Sequence, residues 1–123
     1  MTSSLNQLKM MTTIVADTGD LQAIARLKPV DATTNPSLIT KALSAPQMQP
    51  ILIETLKKYP NDIDAVIDEL TIYIGTEILK LIDGRVSTEV DAALSYDTET
   101  TVAKAKELLA LYKAYGVDQN RIL

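Results

Sequence analysis

The sequence predicts an α/β fold in which short parallel strands alternate with helices. Three short runs rich in β-branched and small apolar residues have the composition of strands. Segments of helical periodicity separate these runs, and parallel strands need crossover connections of that kind. The runs are Thr12–Asp17, Asp31–Asn35 and Arg85–Asp91. At 123 residues, the chain has the length of one ordinary domain.

A short amphipathic helix opens the chain, and a strand and a second helix follow it. The apolar side of the opening helix is Leu5, Leu8 and Met11. The first strand covers Thr12–Ala16. Thr18 or Asp20 then caps a helix over Leu21–Leu27, because their side chains can accept hydrogen bonds from the first free amides of a helix. This is the first strand–helix unit.

The second unit contains the strongest helical pattern of the chain. Its strand covers Asp31–Thr34, and Asn35-Pro36 is typical of the N-cap and first residue of a helix. Two helical stripes follow, and then an amphipathic helix of about five turns, which Asp83-Gly84 closes. The stripe of that helix is Ile63, Val66, Ile67, Leu70, Ile74, Ile78 and Leu81.

The last part of the chain predicts a third unit and the start of a fourth. The third strand covers Val86–Val90, and Asp97 or Thr98 caps the helix that follows. The inward stripe of this helix is Val102, Ala105, Leu108, Leu109 and Tyr112. Gly116 fits the left-handed residue that often ends a helix, and Arg121–Leu123 opens a fourth strand.

Composition excludes several kinds of chemistry. The chain has no cysteine and no histidine, which excludes disulfides, thiolate catalysis and imidazole acid–base steps. The net charge of −4, with scattered lysines and arginines, argues against nucleic acid and anionic membranes as partners. No apolar stretch approaches the ~20 residues of a membrane span. The amino terminus has no signal-peptide core, so we expect a cytoplasmic protein.

Polar side chains at the strand ends form the candidate site. In α/β barrels, reactive groups lie at the carboxyl ends of strands, where loops converge. Period-two alternation places Asp17, Asn35 and Glu89 on the faces that also carry Thr33 and Ser87. Two carboxylates and a carboxamide make half of an acid–base site. An inward, mid-strand glutamate is costly unless it has partners or chemistry to perform.

Each of these residues also fits an ordinary structural role. Asp17 lies next to a Thr-Gly turn, Asn35 suits an N-cap, and Glu89 is compatible with a strand-edge or ion-paired position. Thr33 and Ser87 are ordinary strand residues by composition. The residues alone therefore indicate an α/β domain with a carboxylate site.

Four segments resemble the transaldolase family, most closely its long-chain bacterial and eukaryotic type. They are VADTGD at 15–20, DATTNPSLI at 31–39, GRVSTEVDA and LSYDTE within 84–99, and AKAKELLALY at 103–112. The resemblance runs from near Leu5 to Leu123, and the ordered pair ATTNPS and GRVSTEVDA is specific. It implies the first three to four βα units of a (β/α)8 TIM-type barrel, preceded by a short N-terminal helix.

The resemblance implies a class I aldolase without metal or organic cofactor, acting on sugar phosphates. The family moves a dihydroxyacetone unit from sedoheptulose 7-phosphate to glyceraldehyde 3-phosphate in the pentose phosphate pathway, giving erythrose 4-phosphate and fructose 6-phosphate. By position, Asp17 matches the residue that exchanges a proton with the substrate hydroxyl during cleavage. Glu89 matches the acid/base that works through a water on the carbinolamine. Asn35 matches a residue that holds a substrate hydroxyl, and Thr33 and Ser87 match pocket positions.

The resemblance also implies a part that residues 1–123 do not contain. The family's Schiff-base lysine follows a stretch of the form RIL-apolar, about two residues beyond Leu123. We therefore expect residues 1–123 to be the amino-terminal part of a transaldolase barrel domain, truncated just before that lysine and inactive alone. The sequence leaves a homodimer open.

Two further functions stay open at this point. A non-catalytic barrel fragment with unpaired strand edges would act as an interaction or assembly module. A free-standing α/β domain that binds an anionic sugar is less consistent with so few arginines.

Overall fold

Residues 2–123, which the computed structural model describes, contain six helices and one parallel sheet of three strands in the order β1-β2-β3. The helices are α1 (Ser4–Met11), α2 (Leu21–Leu27), α3 (Pro36–Leu43), α4 (Gln49–Lys58), α5 (Ile63–Leu79) and α6 (Thr98–Ala114). The strands are β1 (Val15–Asp17), β2 (Asp31–Thr33) and β3 (Val86–Ser87). Among the described helices, none has the length and apolar character that a membrane crossing requires. The fold is α/β with an N-terminal helix, consistent with the first part of a TIM-type barrel.

The register of the sheet determines which side chains share a face. Ala16 pairs with Ala32, and Ala32 pairs with Val86, so these three lie side by side. All three are buried in the core beneath the helices. Because successive residues of a strand point to opposite faces, their neighbours point to the other side of the sheet. The predicted division into an apolar and a polar face is therefore confirmed.

The predicted fourth strand begins to pair at the end of the chain. Ile122 forms a parallel bridge with Val86. The amide of Leu123 donates to the carbonyl of Val86 at 2.9 Å, and the amide of Thr88 donates to the carbonyl of Leu123 at 3.2 Å. These contacts extend the sheet beyond β3 on the side away from β2.

Helix α5 is the centre of the core. Its side chains are buried around most of the helix, including Ile72, Ile74 and Ile78, which have no exposed surface. The helix contacts α2, α3, α4 and α6, and also β3. A helix that is buried on several sides lies inside a protein. The predicted stripe is buried at Val66, Leu70, Ile74 and Ile78, whereas its members Ile63, Ile67 and Leu81 are exposed, so α5 is most completely enclosed in its second half.

Arg121 holds the carboxyl end of α5. Its guanidinium donates to the carbonyls of Leu79 at 3.2 Å, Ile82 at 2.8 Å and Gly84 at 2.6 Å. The last carbonyls of a helix have no partner within the helix, and a cation is favourable there. This contact ties the start of the fourth strand to the end of α5.

A glycine in the carboxyl-terminal half of α5 allows α6 to approach closely. A Cβ added at Gly75 would lie 2.0 Å from the hydroxyl oxygen of Tyr112 and 2.9 Å from its Cζ. Tyr112 itself is 1% exposed. The Tyr112 side chain therefore occupies the space that a side chain at position 75 would fill.

Helices α4, α5 and α6 meet at the carboxylate of Glu69. It accepts hydrogen bonds from Lys58 at 3.0 Å, from Tyr59 at 3.1 Å and from Tyr115 at 2.6 Å. Burial opposes ionisation of Glu69, but the hydrogen bonds from Tyr115, Lys58 and Tyr59 outweigh it and lower its pKa. Burial and the bond to this carboxylate raise the pKa of Tyr115 to about 12.

The helix caps follow the sequence closely, whereas the end of α5 and the strand bounds do not. Asp20, Asn35 and Asp97 cap α2, α3 and α6 as predicted, and Gly116 has a φ of 78°.

The first strand was predicted at Thr12–Ala16, but Thr12 is the C-cap of α1 and β1 covers Val15–Asp17. The long helix was predicted to close at Asp83-Gly84, but α5 ends at Leu79. The prediction that the third strand covers Val86–Val90 was wrong, because β3 ends at Ser87. The neighbouring strand β2 ends near Thr34, where the chain turns into α3, so within residues 2–123 the chain after Ser87 has no strand on that side with which to form sheet hydrogen bonds.

Replacement of Gly75 by alanine should destabilise the protein, although alanine is the better helix former. The added methyl would collide with the Tyr112 ring, and overpacking of this kind costs about 1–3 kcal/mol, more than the ~1 kcal/mol gained in helix propensity. Urea denaturation of Gly75→Ala in the wild-type and Tyr112→Leu backgrounds measures the coupling. A cost that is equal in both backgrounds would contradict the proposed collision.

The Glu69 cluster predicts how stability varies with pH. The folded-state pKa of Tyr115 is raised from 10.0 to about 12, so its contribution is complete below pH 10 and is lost as pH rises towards 12. The lowered pKa of Glu69 acts in the opposite direction, with a contribution that is present above the ordinary glutamate pKa of 4.5 and lost as pH falls below it. Chemical denaturation at several pH values measures both losses.

Substitution of Tyr115 by phenylalanine should abolish much of the alkaline loss and cost about 1 kcal/mol at neutral pH, because this partly exposed hydroxyl bonds to a charged acceptor. Tyr96→Phe is the matched control, since Tyr96 is fully exposed. Equal stability of Tyr115→Phe and Tyr96→Phe at pH 7 would refute the role assigned to the cluster.

Candidate active site

Three of the predicted site residues form a row across the open face of the sheet. Asp17 pairs in register with Thr33, and Thr33 pairs with Ser87. Neighbouring strands lie about 4.8 Å apart, so the row spans about 10 Å from Asp17 to Ser87. All three residues end their strands. They therefore lie at the carboxyl edge of the sheet, where the sequence analysis expected the site.

A hydrogen bond orients the first carboxylate of this row. The hydroxyl of Thr33 donates to Oδ1 of Asp17 at 2.9 Å. Asp17 is exposed and Thr33 is half-buried. Within residues 2–123 the Asp17 carboxylate has no other hydrogen-bond donor, so its second oxygen can accept a proton from a bound molecule. The local sequence supports this arrangement, because the Thr18-Gly19 turn follows and α2 begins only at Leu21.

Asn35 has a structural role that is compatible with a binding role. Its Oδ1 accepts the amide of Leu38 at 2.9 Å and so caps α3. The cap uses only the carbonyl of the carboxamide, and the NH2 group keeps two donors. The ordinary explanation of Asn35 is thus confirmed, and its amide donors stay free to contact a hydroxyl.

Asn35 and Glu89 line the same cavity, which has a volume of about 460 Å³. Its walls come from α3, α5, α6 and the segment after β3. The apolar residues of the wall are Ile39, Leu43, Ile67, Leu70, Leu94 and Leu108. Asp17, Thr33 and Ser87 do not line it, so the site residues divide into a row on the sheet and a pair at this cavity.

Lys104 is a cation of this cavity that the sequence analysis missed. It forms ion pairs with Asp68 and, at 3.4 Å, with Glu107. Burial lowers the pKa of Lys104, but the bond to Asp68 and the charges of Asp68 and Glu107 outweigh that effect and raise it. Asp68 and Lys104 are far apart in sequence, and no local pattern pairs them.

The structure corrects the expected setting of Glu89. The sequence placed it inward in the middle of a strand, but it lies two residues beyond β3 and is exposed. Thr88 and Val90 on either side contact the interior: the Thr88 hydroxyl lies 2.6 Å from that of Tyr112, and Val90 packs against the core. Because Glu89 is exposed among the described residues, its ionised carboxylate carries no burial penalty, and the argument for function from such a penalty does not hold.

All nine lysines of the described residues lie in helices or at helix ends. None extends from the sheet beside Asp17 or Glu89. Among residues 2–123 there is also no group of three or more His, Cys, Asp or Glu residues placed to hold a metal ion. The described site thus consists of two carboxylates, a carboxamide and two hydroxyls.

The fold and the site define a parallel α/β protein of barrel type with its polar groups at the carboxyl ends of the strands. The family model described as Transaldolase/Fructose-6-phosphate aldolase matches residues 14–123. A transaldolase of Rhizobium leguminosarum bv. trifolii (strain WSM2304) is 53% identical over 130 aligned residues, covering 100% of this chain and 40% of that protein. The chain belongs to the transaldolase/fructose-6-phosphate aldolase family and spans about two-fifths of the length of this relative.

Two substitutions of Asn35 separate its cap from its amide donors. Asn35→Ala removes the hydrogen bond to Leu38 and should cost about 1 kcal/mol of stability. Asn35→Asp keeps a cap oxygen at the helix N-terminus, where a negative charge is favourable, and should stay within about 0.5 kcal/mol of wild type. Urea denaturation compares the two, and equal losses would show that the cap does not stabilise α3.

Proposed function

We propose that this chain is the amino-terminal part of a transaldolase barrel and supplies the acid–base half of its active site. The observation that carries the proposal is the position of Asp17 and Glu89 at the carboxyl edge of one parallel sheet, within segments that resemble the family signature. Two carboxylates in different surroundings can divide acid and base steps without histidine. The Asp17 carboxylate has a Thr33 hydroxyl as its neighbour, whereas Glu89 lies at the cavity that Asn35 also lines.

The first half of the proposed reaction forms a Schiff base. A neutral lysine amine attacks the carbonyl carbon of a ketose phosphate and gives a carbinolamine after proton transfer. Glu89, acting through a water, then delivers a proton to the carbinolamine hydroxyl. This hydroxyl leaves as water and the nitrogen lone pair forms the iminium bond. The exposed position of Glu89 leaves room for the water that the step requires.

The second half breaks and forms a carbon–carbon bond. Asp17 takes the proton of the substrate hydroxyl, an aldehyde forms at that carbon, and the electron pair of the broken bond moves into the iminium to give an enamine. The enamine keeps the three-carbon dihydroxyacetone unit and attacks the aldehyde of an acceptor aldose phosphate. Asp17 returns the proton to the new hydroxyl. The amide donors of Asn35 suit the binding of a neighbouring hydroxyl.

The lysines of this chain are unsuited to the nucleophilic step. A Schiff-base amine has to be neutral in part, which requires a lowered pKa. The pKa values of Lys58, Lys80 and Lys104 are instead raised, chiefly by bonds to Glu69 and Glu77 for the first two and to Asp68 for the third. We therefore propose that the lysine comes from the part of the barrel beyond residue 123, and that residues 1–123 alone are inactive.

Fusion to the rest of a barrel tests the proposed function. In a chimera, residues 1–123 replace the matching 40% of the Rhizobium transaldolase, and transfer from sedoheptulose 7-phosphate to glyceraldehyde 3-phosphate is measured. Asp17→Asn and Glu89→Gln should each lower kcat by about 10²–10⁴. Asp83→Asn and Glu99→Gln, which change exposed carboxylates outside the site, are the matched controls.

Two outcomes of this experiment would contradict the proposal. One is full activity of Asp17→Asn or Glu89→Gln in a folded chimera, with folding checked by circular dichroism. The other is a borohydride-stable adduct of fructose 6-phosphate on residues 1–123 alone. Omission of the acceptor distinguishes transfer from simple aldol cleavage, which the family description also includes.

An assembly role has one observation in its favour. Strand β1 is an edge of the sheet, and its Val15 is 48% exposed. Unpaired edges of this kind favour association with another chain or a complementary fragment. Size-exclusion chromatography of residues 1–123 tests this role, and a monomer that melts cooperatively would contradict it.

Action in the pentose phosphate pathway, a cytoplasmic location and a homodimer stay predictions.

A further inference from the structure

The segment that carries Glu89 is anchored at the residue before it. After Ser87 the chain leaves the paired part of β3, and Thr88 makes two contacts there. Its amide donates to the carbonyl of Leu123 at 3.2 Å, and its hydroxyl is hydrogen-bonded to the hydroxyl of Tyr112 at 2.6 Å. Both the main chain and the side chain of Thr88 are therefore fixed.

Tyr112 contacts Thr88 from a buried position in the core. The ring is buried against α5, where Gly75 has no side chain in its way. Burial raises the pKa of Tyr112, against the smaller effect of the Thr88 hydrogen bond. The phenol therefore stays neutral and keeps both a donor and an acceptor for Thr88. A buried hydroxyl without a partner is costly, so this hydrogen bond constrains both residues.

We propose that Tyr112, through its hydrogen bond to Thr88, is a positioning residue that sets where Glu89 is held at the edge of the sheet. The assignment deepens the proposed function and rests on it. Glu89 lies between two inward residues, since Thr88 contacts Tyr112 and Val90 packs against the core. A side chain between two such anchors has its backbone direction fixed by them, while its own carboxylate stays exposed.

The alternative is that Tyr112 merely fills space in the core. Ring packing would survive the removal of the hydroxyl, whereas positioning would not. Tyr115 offers a matched comparison at the C-cap of the same helix, because its hydroxyl also makes one hydrogen bond, to Glu69. Tyr115→Phe removes a hydrogen bond from the end of α6 but does not touch the Glu89 segment.

The test measures the order of the Glu89 amide by 15N relaxation in the full chain. Its order parameter should fall from about 0.85, the value of rigid backbone, to below about 0.6 in Tyr112→Phe and in Thr88→Val. Thr88→Ser, which keeps the hydroxyl, should retain the wild-type value. Tyr115→Phe should leave Glu89 unchanged, although it lowers stability.

An unchanged Glu89 order parameter in Tyr112→Phe and Thr88→Val would overturn the proposal. An equal fall in Tyr115→Phe would also overturn it, because the effect would then be a general loosening of α6. If Tyr112→Phe fails to fold, the comparison of Thr88→Val with Thr88→Ser decides. The readout is local order and not turnover, so full activity of Glu89→Gln in the folded chimera, together with an ordered Glu89, would refute the proposed function alone.

Discussion

The burial of α5 is the constraint on which the rest of the structure depends. Its isoleucines at 72, 74 and 78 are fully enclosed, so the neighbouring helices have to surround it rather than cover one side. Enclosed aliphatic side chains of this size each contribute about 1.5–3 kcal/mol relative to exposure. Because α5 leads directly into β3, its position also determines where β3 joins β2. The carboxyl edge of the sheet, which carries the site residues, is thus positioned by α5, which packs on the opposite face of the sheet from the Asp17–Ser87 row.

Three contacts, two of them polar, extend the influence of α5 to separate parts of the protein. Glu69 near its start joins α4 and α6. Gly75 in its carboxyl-terminal half admits Tyr112, which reaches the segment before Glu89. Arg121 binds the carbonyl of Leu79 at its end and that of Ile82 just beyond it, and so ties the fourth strand to α5. A change in the packing of α5 would therefore move the sheet edge as a unit, since close-packed cores transmit displacement.

Local signals in the sequence predict the helix ends and the faces of the strands. Asp20 and Asn35 cap their helices because a cap requires only a side-chain oxygen within three residues of the free amides. The faces follow from period two and need no tertiary knowledge, as Ala16 and Val86 show. The role of Asn35 as a cap was equally visible, and nothing local showed that it shares a cavity with Glu89.

Apart from the start of β1, which the end of α1 delays, the wrong predictions and the contacts that were not predicted involve partners distant in sequence. The end of β3 depends on β2, which is followed by α3 after Thr34. A prediction from strand propensity alone therefore made β3 too long. The exposure of Glu89 follows from the same early end. Arg121 binds carbonyls about 40 residues earlier, and Lys104 pairs with Asp68 36 residues earlier. Composition gives no sign of such contacts, whereas Gly75 within an otherwise apolar stripe was a signal of close approach that could have been read.

The exposure of Asp17 and Glu89 bears on how the proposed site would work. Acid and base steps by two carboxylates require surroundings that differ in water access and in neighbouring charge. Within the described residues both carboxylates are exposed, and they differ in their neighbours: Asp17 accepts a hydrogen bond from Thr33, whereas Glu89 lies at the cavity that Asn35 also lines. In the proposed site, the row from Asp17 to Ser87 supplies position, and the reaction also requires that water be excluded from the open face of the sheet. In the proposed function, residues 1–123 therefore supply the positions of the two carboxylates, and the proposed remainder of the barrel supplies their desolvation.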